Sequence, residues 1–452
     1  MKAKPKIHDK TPDMFRSELK SILDLRHELC LLAGQINWSH LDEEFGKLFP
    51  SEKGCPATPT RLIVGLFFLK ATYKISDEDV PKRWVENPYW QYFCGEQYMQ
   101  HKFPIDPSSL SKWRKRLKEV DLEKLLTETI NVGLRTKTVK QKDLDKAIVD
   151  TTVQEKAVAF PTDSKLYHRA RVLLVKLAKK NGVKLKQTYV RLGKQALFKG
   201  SNYGRARQLK RARKQTRKLK VYLGRVYRDL LRQLEKRPEL KNEFAELLTK
   251  TEKLLKQKRK DKNKLYSMHA PEVECIGKGK AHKRYEFGVK ASITCTHKNN
   301  FIIGANSLPG NPYDGHTLKE ALDQVEKLTG IRPKETYVDL GYRGHKEKES
   351  TVYIAKQKQN KKNRTLRKAM KRRSAIEPII GHAKSEGHLG RNYLKGSEGD
   401  KFNVFMSAIG FNLRQILRKL RIFWLYFLFT FYKKITFISD LKFAGCRDRA
   451  AA

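Results

Sequence analysis

The interpretation of this chain depends on one stretch, Tyr337-Val338-Asp339-Leu340-Gly341-Tyr342-Arg343-Gly344-His345. Apolar and β-favouring residues lead directly into an acid, and a glycine-containing turn follows. This order predicts a buried strand that ends at Asp339, followed by a loop that carries Tyr342 and Arg343. Because an isolated carboxylate is costly to bury, we expect Asp339 to face a cation, which is either a basic side chain or a metal ion.

The same strand-then-acid pattern occurs upstream, in Ala147-Ile148-Val149-Asp150-Thr151-Thr152. Asp143 and Asp145 precede the apolar run, so they are predicted to lie at the opposite end of the strand. Asp150 is therefore the stronger candidate for a site residue. Taken alone, an aspartate after an apolar run is more often a turn or cap residue than a metal ligand, so the assignment depends on partners elsewhere in the chain.

The overall charge indicates the class of partner. The chain has 452 residues, with 97 Lys and Arg against 48 Asp and Glu, a net charge of +49. Such an excess favours a polyanion, first of all DNA, and an anionic membrane surface is the alternative. The 6 cysteines are scattered without the spacing of a zinc site or a disulfide framework, which favours a reducing cytosol. The longest apolar run, 422–432, is about half of the roughly 20 residues that a membrane helix needs.

Four helix-start signals predict an all-helical region over residues 58–140, after a helical segment over 1–57 that has no chemical signature. They are Thr58-Pro59, Ser76 with Asp79, Asn87-Pro88 and Asp106-Pro107. The last of the predicted helices is basic and resembles part of a helix-turn-helix module. Its cations either contact DNA or form a solvated face over a helical core: Lys112, Arg114, Lys115 and Arg116.

Residues 164–266 have a different character, with 34 Lys and Arg against 7 Asp and Glu. Apolar residues recur at three- and four-residue steps over 209–230 and again over 240–254, on either side of a break at Lys236-Arg237-Pro238. This pattern predicts an inserted antiparallel helical hairpin, or less favourably a seam between two chains. The charge exceeds what solvation needs, so contact with the DNA backbone is predicted for the basic face: Arg211, Arg213, Lys214, Arg217 and Lys218.

The remaining pattern predicts two strands over 285–294 and 301–305, a helix over 317–328, the strand of Asp339, a strand over 351–355 and a helix over 365–385. The last helix carries Arg373, Glu377 and Lys384 at spacings of four and seven, which is one helical face. A surface ion-pair stripe is the simpler interpretation of these three residues. The order of strands, helices and acids nevertheless predicts an α/β, ribonuclease-H-like domain, a mixed sheet flanked by helices, over 141–163 and 267–420, before an aromatic and basic tail over 421–452.

With these motifs the chain resembles the DDE transposases of bacterial insertion sequences, close to the insertion-sequence-five group. The resemblance rests on Ile148–Thr152, on Val338–Gly344, and on a last motif that Arg373, Glu377 and Lys384 match. Met370 stands where this family has a tyrosine. The helical region over about 58–118 is also similar to the N-terminal part of these proteins.

The resemblance implies a metal-dependent enzyme in which Asp150, Asp339 and Glu377 hold two Mg²⁺ ions, or Mn²⁺ as a substitute, with Asp150 bridging. It also implies that Arg373 and Lys384 hold phosphate. Tyr342 and Arg343 follow Asp339 directly, so they are predicted either to touch the DNA strand at the mouth of the site or to belong to a plain glycine-containing loop.

The implied partners are the terminal inverted repeats of the element and target DNA. They would be bound by at least a dimer in the bacterial cytoplasm, at the nucleoid. Two alternatives remain open: a catalytically decayed transposase that acts as a DNA-binding regulator, and a nuclease that cuts without joining. A membrane-surface protein is the weakest alternative, because the basic helices have narrow apolar seams.

Overall fold

The computed structural model describes residues 16–48, 57–258, 260–277, 283–356 and 364–447, with the backbone alone from residue 423 onwards. Parts of the predicted segments 1–57 and 421–452 therefore lie outside the described residues. Within the described part, no helix is long and apolar enough to cross a bilayer.

The N-terminal region is helical, and capping side chains set several of its helix starts. Asn87 accepts hydrogen bonds from the N–H groups of Tyr89 and Trp90, and Asp106 accepts one from the N–H of Ser108. These two predicted helix starts are confirmed. The helices are α1 (Leu19–Ile22), α2 (Glu28–Gln35), α3 (Trp38–Gly46), α4 (Thr60–Tyr73), α5 (Asp79–Glu86), α6 (Pro88–Phe93), α7 (Pro107–Arg116) and α8 (Glu119–Arg135).

The helices before and after residue 57 share one core. α3 packs against α4, and α2 packs against α6. Leu32 and Phe45 from the first group and Phe67 and Phe68 from the second are all buried in the same apolar cluster. The predicted boundary at residue 57 therefore does not separate two cores.

Six strands form a single mixed sheet in the order β2-β3-β1-β5-β6, with β4 beside β3. β3 is antiparallel to β1, β2 and β4, whereas β1, β5 and β6 run parallel. The register places Ile148 opposite Cys295 on one side and opposite Tyr337 on the other. The strands are β1 (Lys146–Glu155), β2 (Glu274–Gly277), β3 (Tyr285–Thr296), β4 (Ile302–Leu308), β5 (Glu335–Val338) and β6 (Thr351–Ile354).

The segment between β1 and β2 contains four helices, and its apolar cluster is distinct from that of the sheet. The predicted two-helix hairpin is wrong in its pairing, because α11 packs mainly on α9 and α10 and only slightly on α12. Leu166, Ala170, Leu174 and Ala178 of α9 are buried and provide the partner surface for α11. The helices are α9 (Asp163–Lys180), α10 (Val190–Arg205), α11 (Leu209–Glu235) and α12 (Lys241–Lys256).

Helices cover both faces of the sheet. α13 (Asp314–Thr329) packs on one face, where Val149, Val338 and Leu322 form a small apolar cluster. The other face receives the helices that follow β6, namely α14 (Arg364–Arg372), α15 (Ile376–Glu386) and α16 (Gly396–Arg447). Asn412 of α16 hydrogen-bonds both the N–H and the carbonyl of Ile302.

Two predicted boundaries in this last region are wrong. The continuous helix predicted over 365–385 is broken by a 3-10 turn at Arg373–Ala375. The break allows the buried Ile376, Ile379 and Ala383 of α15 to face the sheet, whereas α14 has no buried residue. The boundary predicted at residue 421 falls inside α16, which continues to Arg447.

Candidate active site

Asp150 and Asp339 lie where the two parallel strands β1 and β5 part. The paired register runs to Ile148 and Tyr337, and Asp339 is the first residue after β5. Asp150 lies within β1 rather than at its end, because β1 continues to Glu155 along β3. Continued by two residues, the same register places Asp150 and Asp339 at neighbouring positions where the two strands separate. Each carboxylate also accepts a local backbone hydrogen bond, Asp150 from Thr151 at 2.8 Å and Asp339 from Gly341 at 2.8 Å.

Tyr342 is fully buried, and its hydroxyl has no hydrogen-bond partner among the described residues. Burial, followed by the negative charges of Asp150, Asp314 and Asp339, holds the pKa of this hydroxyl well above its usual value. The predicted contact of Tyr342 with DNA is therefore wrong, because its ring packs under α13. Arg343, the next residue, is exposed.

Asp314 is a site residue that the sequence patterns missed. It is the first residue of α13, and its Oδ1 accepts hydrogen bonds from Thr151 at 2.9 Å and from the Lys290 ammonium at 3.1 Å. It follows a proline-rich turn rather than a strand, so no strand-then-acid signal marks it. The only sequence signal is its position at the start of a helix between the strands of Asp150 and Asp339.

Glu377 is placed differently from the two aspartates. It lies in the first turn of α15, which contacts β1, and 67% of its side chain is exposed. Its Oε1 is 3.7 Å from Nη2 of Arg373, a mostly buried guanidinium. Among the described residues, no group of three or more His, Cys, Asp or Glu side chains is close enough to hold a metal ion. In this conformation the predicted three acids thus do not form one cluster.

Lys384 lies in the last turn of the same helix and faces inward. Its ammonium is 4.0 Å from Oε2 of Glu286, a buried acid of β3. Arg373, in the 3-10 turn before α15, and Lys384, in the last turn of α15, therefore lie on either side of Glu377 in the chain, and each has an acidic neighbour.

The basic set on α7 divides into one structural residue and three exposed residues. Arg114 donates to both carboxylate oxygens of Asp77 and lies over the ring of Phe402. Only 11% of its side chain is exposed, so the predicted DNA contact is wrong for this residue. Lys112, Lys115 and Arg116 are exposed.

Replacing Arg114 by Ala is expected to lower the free energy of unfolding by about 2–3 kcal/mol, because it leaves Lys70 as the one remaining partner of the Asp77 carboxylate among the described residues. Denaturant unfolding checks this value. Lys115→Ala is the matched control on the same helix and should change stability by less than about 0.5 kcal/mol. A weakened DNA affinity without loss of stability in Arg114→Ala would contradict the structural role.

The five cations predicted on the inserted segment all lie exposed along the first half of α11. In the described part of the chain none of them forms an ion pair with an acid. Arg211 instead hydrogen-bonds Gln208 and lies over the ring of Tyr203. We call this set the α11 stripe: Arg211, Arg213, Lys214, Arg217 and Lys218.

Two parts of the chain match known families. Residues 17–116 match a transposase domain, and residues 256–413, which include Asp339 and Glu377, match the transposase DDE domain. The uncharacterized protein ORF8 in the nfe locus of Rhizobium meliloti is 48% identical over 196 residues, which are 43% of this chain and 94% of that protein. No solved structure matches the chain. This chain belongs to the DDE transposases of insertion sequences.

Proposed function

We propose that this transposase binds the terminal inverted repeats of its element, cuts phosphodiester bonds there with the help of divalent metal ions, and joins the ends to target DNA. The observation that carries the proposal is the placement of Asp150 and Asp339 at neighbouring positions where β1 and β5 separate. The strand order β4-β3-β1-β5-β6, with β3 antiparallel, supports a ribonuclease-H-like catalytic domain.

The chemistry of the donor set fits a hard divalent ion, because carboxylate oxygens are the ligands that Mg²⁺ prefers. Asp150 and Asp339 occupy neighbouring positions on β1 and after β5, and both add negative charge at the unpartnered hydroxyl of Tyr342. Glu377 joins them only after leaving Arg373. That rearrangement costs little, because an ion pair with an exposed carboxylate contributes at most about 1 kcal/mol.

The side chains then have separate roles. Asp150, Asp339 and Glu377 would hold two Mg²⁺ ions, for which Mn²⁺ is a substitute. When bound, the two ions activate the attacking oxygen and stabilise the departing one. Once released from Glu377, Arg373 is a bidentate donor for a DNA phosphate, whereas Lys384 supplies a point charge near the same DNA strand.

Binding of DNA away from the acids is assigned to two surfaces. Lys112, Lys115 and Arg116 on α7, with Arg343 beside the site, form one of them, and the α11 stripe forms the other. Each cation that sits on a phosphate releases counterions, which gives affinity without sequence preference. Joining two ends requires that both be held at once, so at least a dimer is proposed to act, at the nucleoid.

Neutralising the α11 stripe to Gln is expected to weaken DNA binding and flatten its salt dependence, by about 0.9 in the slope of log K against log salt for each phosphate that is no longer neutralised. Fluorescence anisotropy on terminal-repeat DNA at several salt concentrations measures both quantities. An unchanged slope would leave the stripe with a role in solubility alone.

A matched pair of double variants sharpens this comparison. Arg213→Gln with Arg217→Gln removes two charges that have no acidic partner. Lys250→Gln with Lys256→Gln removes two that are paired with Glu246 and Glu252 on α12. Only the first double variant should flatten the dependence of log K on log salt.

The exposure of Glu377 favours one alternative, a DNA-binding regulator without catalysis. Incubation of the full chain with terminal-repeat DNA and Mg²⁺ separates the two functions. The proposal expects cleaved and joined products that a chelator abolishes, whereas a regulator gives a bound complex with intact DNA. Cut ends without joined products would indicate a nuclease.

A further inference from the structure

Three carboxylates, not two, act electrostatically on the buried hydroxyl of Tyr342. Asp150, Asp314 and Asp339 each add negative charge at this hydroxyl. Hydroxyl groups that are removed from water are nearly always hydrogen-bonded, yet this one has no partner in the described part of the chain. A buried donor that has no partner can bond to a further ligand with oxygen atoms, such as the water of a hydrated cation.

Gly341 brings the second oxygen of Asp314 close to Asp339. A Cβ at position 341 would lie 3.0 Å from Oδ2 of Asp314 and 3.1 Å from Oδ1 of Asp339. Both carboxylates therefore approach the same backbone atom from the side where glycine has no side chain. The two negative charges lie close together and repel each other unless a cation lies nearby.

Lys290 of β3 is the cation that contacts Asp314. Only 10% of its side chain is exposed, and its ammonium donates to the carbonyl of Pro312 at 2.7 Å as well as to Asp314. Through Oδ1 of Asp314, Lys290 is connected to Thr151, the residue next to Asp150. The pair thus contacts the elements that hold both predicted aspartates.

We propose that Asp314 and Lys290 are positioning residues of this site and set its affinity for a divalent cation. Asp314 adds negative charge beside Asp150 and Asp339, and Lys290 offsets it, so that the aspartates stay close together before a cation arrives. This inference rests on the proposed metal-dependent function and assigns it two residues that lie outside the three-acid motif.

The test is the affinity of the full-length chain for Mn²⁺ alone, without DNA, measured from the free-ion signal in electron paramagnetic resonance. Asp314→Asn removes a negative charge and should weaken Mn²⁺ binding on the order of tenfold. Lys290→Gln removes the offsetting positive charge and should strengthen binding by a similar factor. The double variant should return close to the affinity of the unmodified chain.

The opposite signs separate an electrostatic role from a structural one. Damage to the fold would weaken binding in both single variants, and more in the double variant, so that pattern overturns the proposal. Unchanged affinity in both single variants overturns it as well.

Asp150→Asn distinguishes this inference from the proposed function. If Asp150→Asn keeps full Mn²⁺ affinity, the metal site itself is wrongly assigned. If it abolishes binding while Asp314→Asn and Lys290→Gln have no effect, only the roles of Asp314 and Lys290 fail.

Discussion

Replacing Asp150 or Asp339 by Asn is expected to lower strand cleavage by at least about 10³-fold, because either change removes a charged oxygen ligand that contributes several kcal/mol to catalysis. Asn keeps the size of the side chain and one acceptor oxygen, so the hydrogen bond from Thr151 or Gly341 can persist. DNA affinity should change little, since the cations of α7 and α11 are untouched. Single-turnover cleavage of a labelled terminal-repeat duplex in Mg²⁺ measures the first quantity, and gel shift in a chelator measures the second.

Asp145→Asn is the matched control for this experiment. Asp145 lies just before β1, at the end opposite the site, and its Oδ1 is 3.4 Å from the ammonium of Lys334. The same chemical change there should leave cleavage within about twofold, because only an exposed ion pair is lost. Cleavage that survives in Asp150→Asn or Asp339→Asn, or that falls equally in Asp145→Asn, would remove the two aspartates from the catalytic role.

The sequence patterns were sufficient for the features that depend on local order. An apolar run that leads into an acid predicts the same local structure wherever it occurs. The pattern therefore predicted two strands, at Val149-Asp150 and at Val338-Asp339. Parallel pairing of those strands then brings their acids together without any further information. The helix starts at Asn87 and Asp106 are local in the same way, since a capping side chain bonds to a backbone group two or three residues later.

Contacts between distant residues could not be predicted in this way. Arg114 resembled its exposed neighbour Lys115 in the sequence, and only the fold brings Asp77 to its guanidinium, 37 residues away. Tyr342 resembled a loop residue, yet α13 covers it. Asp314 reaches Thr151 across 163 residues, so its place in the site is a property of the tertiary structure alone.

The pairing of α11 failed for a different reason. Its apolar repeat was recognised correctly, but a repeat specifies a face and not the helix that covers it. α9 has the same four-residue apolar spacing and lies closer in the fold. The direction of the Glu377 side chain on its exposed turn, toward Arg373, is likewise not determined by helical spacing.

A buried ionic cluster at the end of β1 is expected to contribute strongly to stability. Lys156, the residue after β1, lies 2.6 Å from Oδ1 of Asp400 and 2.9 Å from Oε1 of Glu272. Lys156 and Asp400 are 3% and 1% exposed. One ammonium therefore connects the end of β1, the chain that returns from the inserted helices, and the first turns of α16.

The pKa values of the two acids depend on this ammonium. Burial raises the pKa of Asp400 to about 6, against the opposing hydrogen bond from Lys156. The Oδ2 atom of Asp400 has no hydrogen-bond partner among the described residues. Burial also acts to raise the pKa of Glu272, but the hydrogen bond from Lys156 and backbone donors hold it below its ordinary value.

Lys156→Met is expected to lower the free energy of unfolding by about 3–5 kcal/mol at pH 7.5, because it leaves two mostly buried carboxylates without their cation. The loss should be smaller at about pH 5. Folded Asp400 already holds its proton up to about pH 6, above the ordinary value of 3.8, so its contribution to stability falls as the pH rises through this range. Without Lys156 the pKa of Asp400 in the folded protein moves higher still. Asp400 is then neutral over a wider range of pH, and its repulsion with Glu272 is relieved over that range. Urea unfolding at the two pH values measures both effects.

Lys156→Met combined with Asp400→Asn is the control, because it removes one of the two carboxylates that lose their cation and keeps the size of that side chain. The double variant should recover part of the lost stability at pH 7.5 and should lose the part of the pH dependence that comes from Asp400, while Glu272 stays without its cation. A cavity or packing defect at position 156 would instead destabilise both variants equally at every pH. Equal losses at pH 5 and pH 7.5 in the single variant would therefore contradict an electrostatic origin, because the expected pH dependence comes from the protonation of a buried carboxylate.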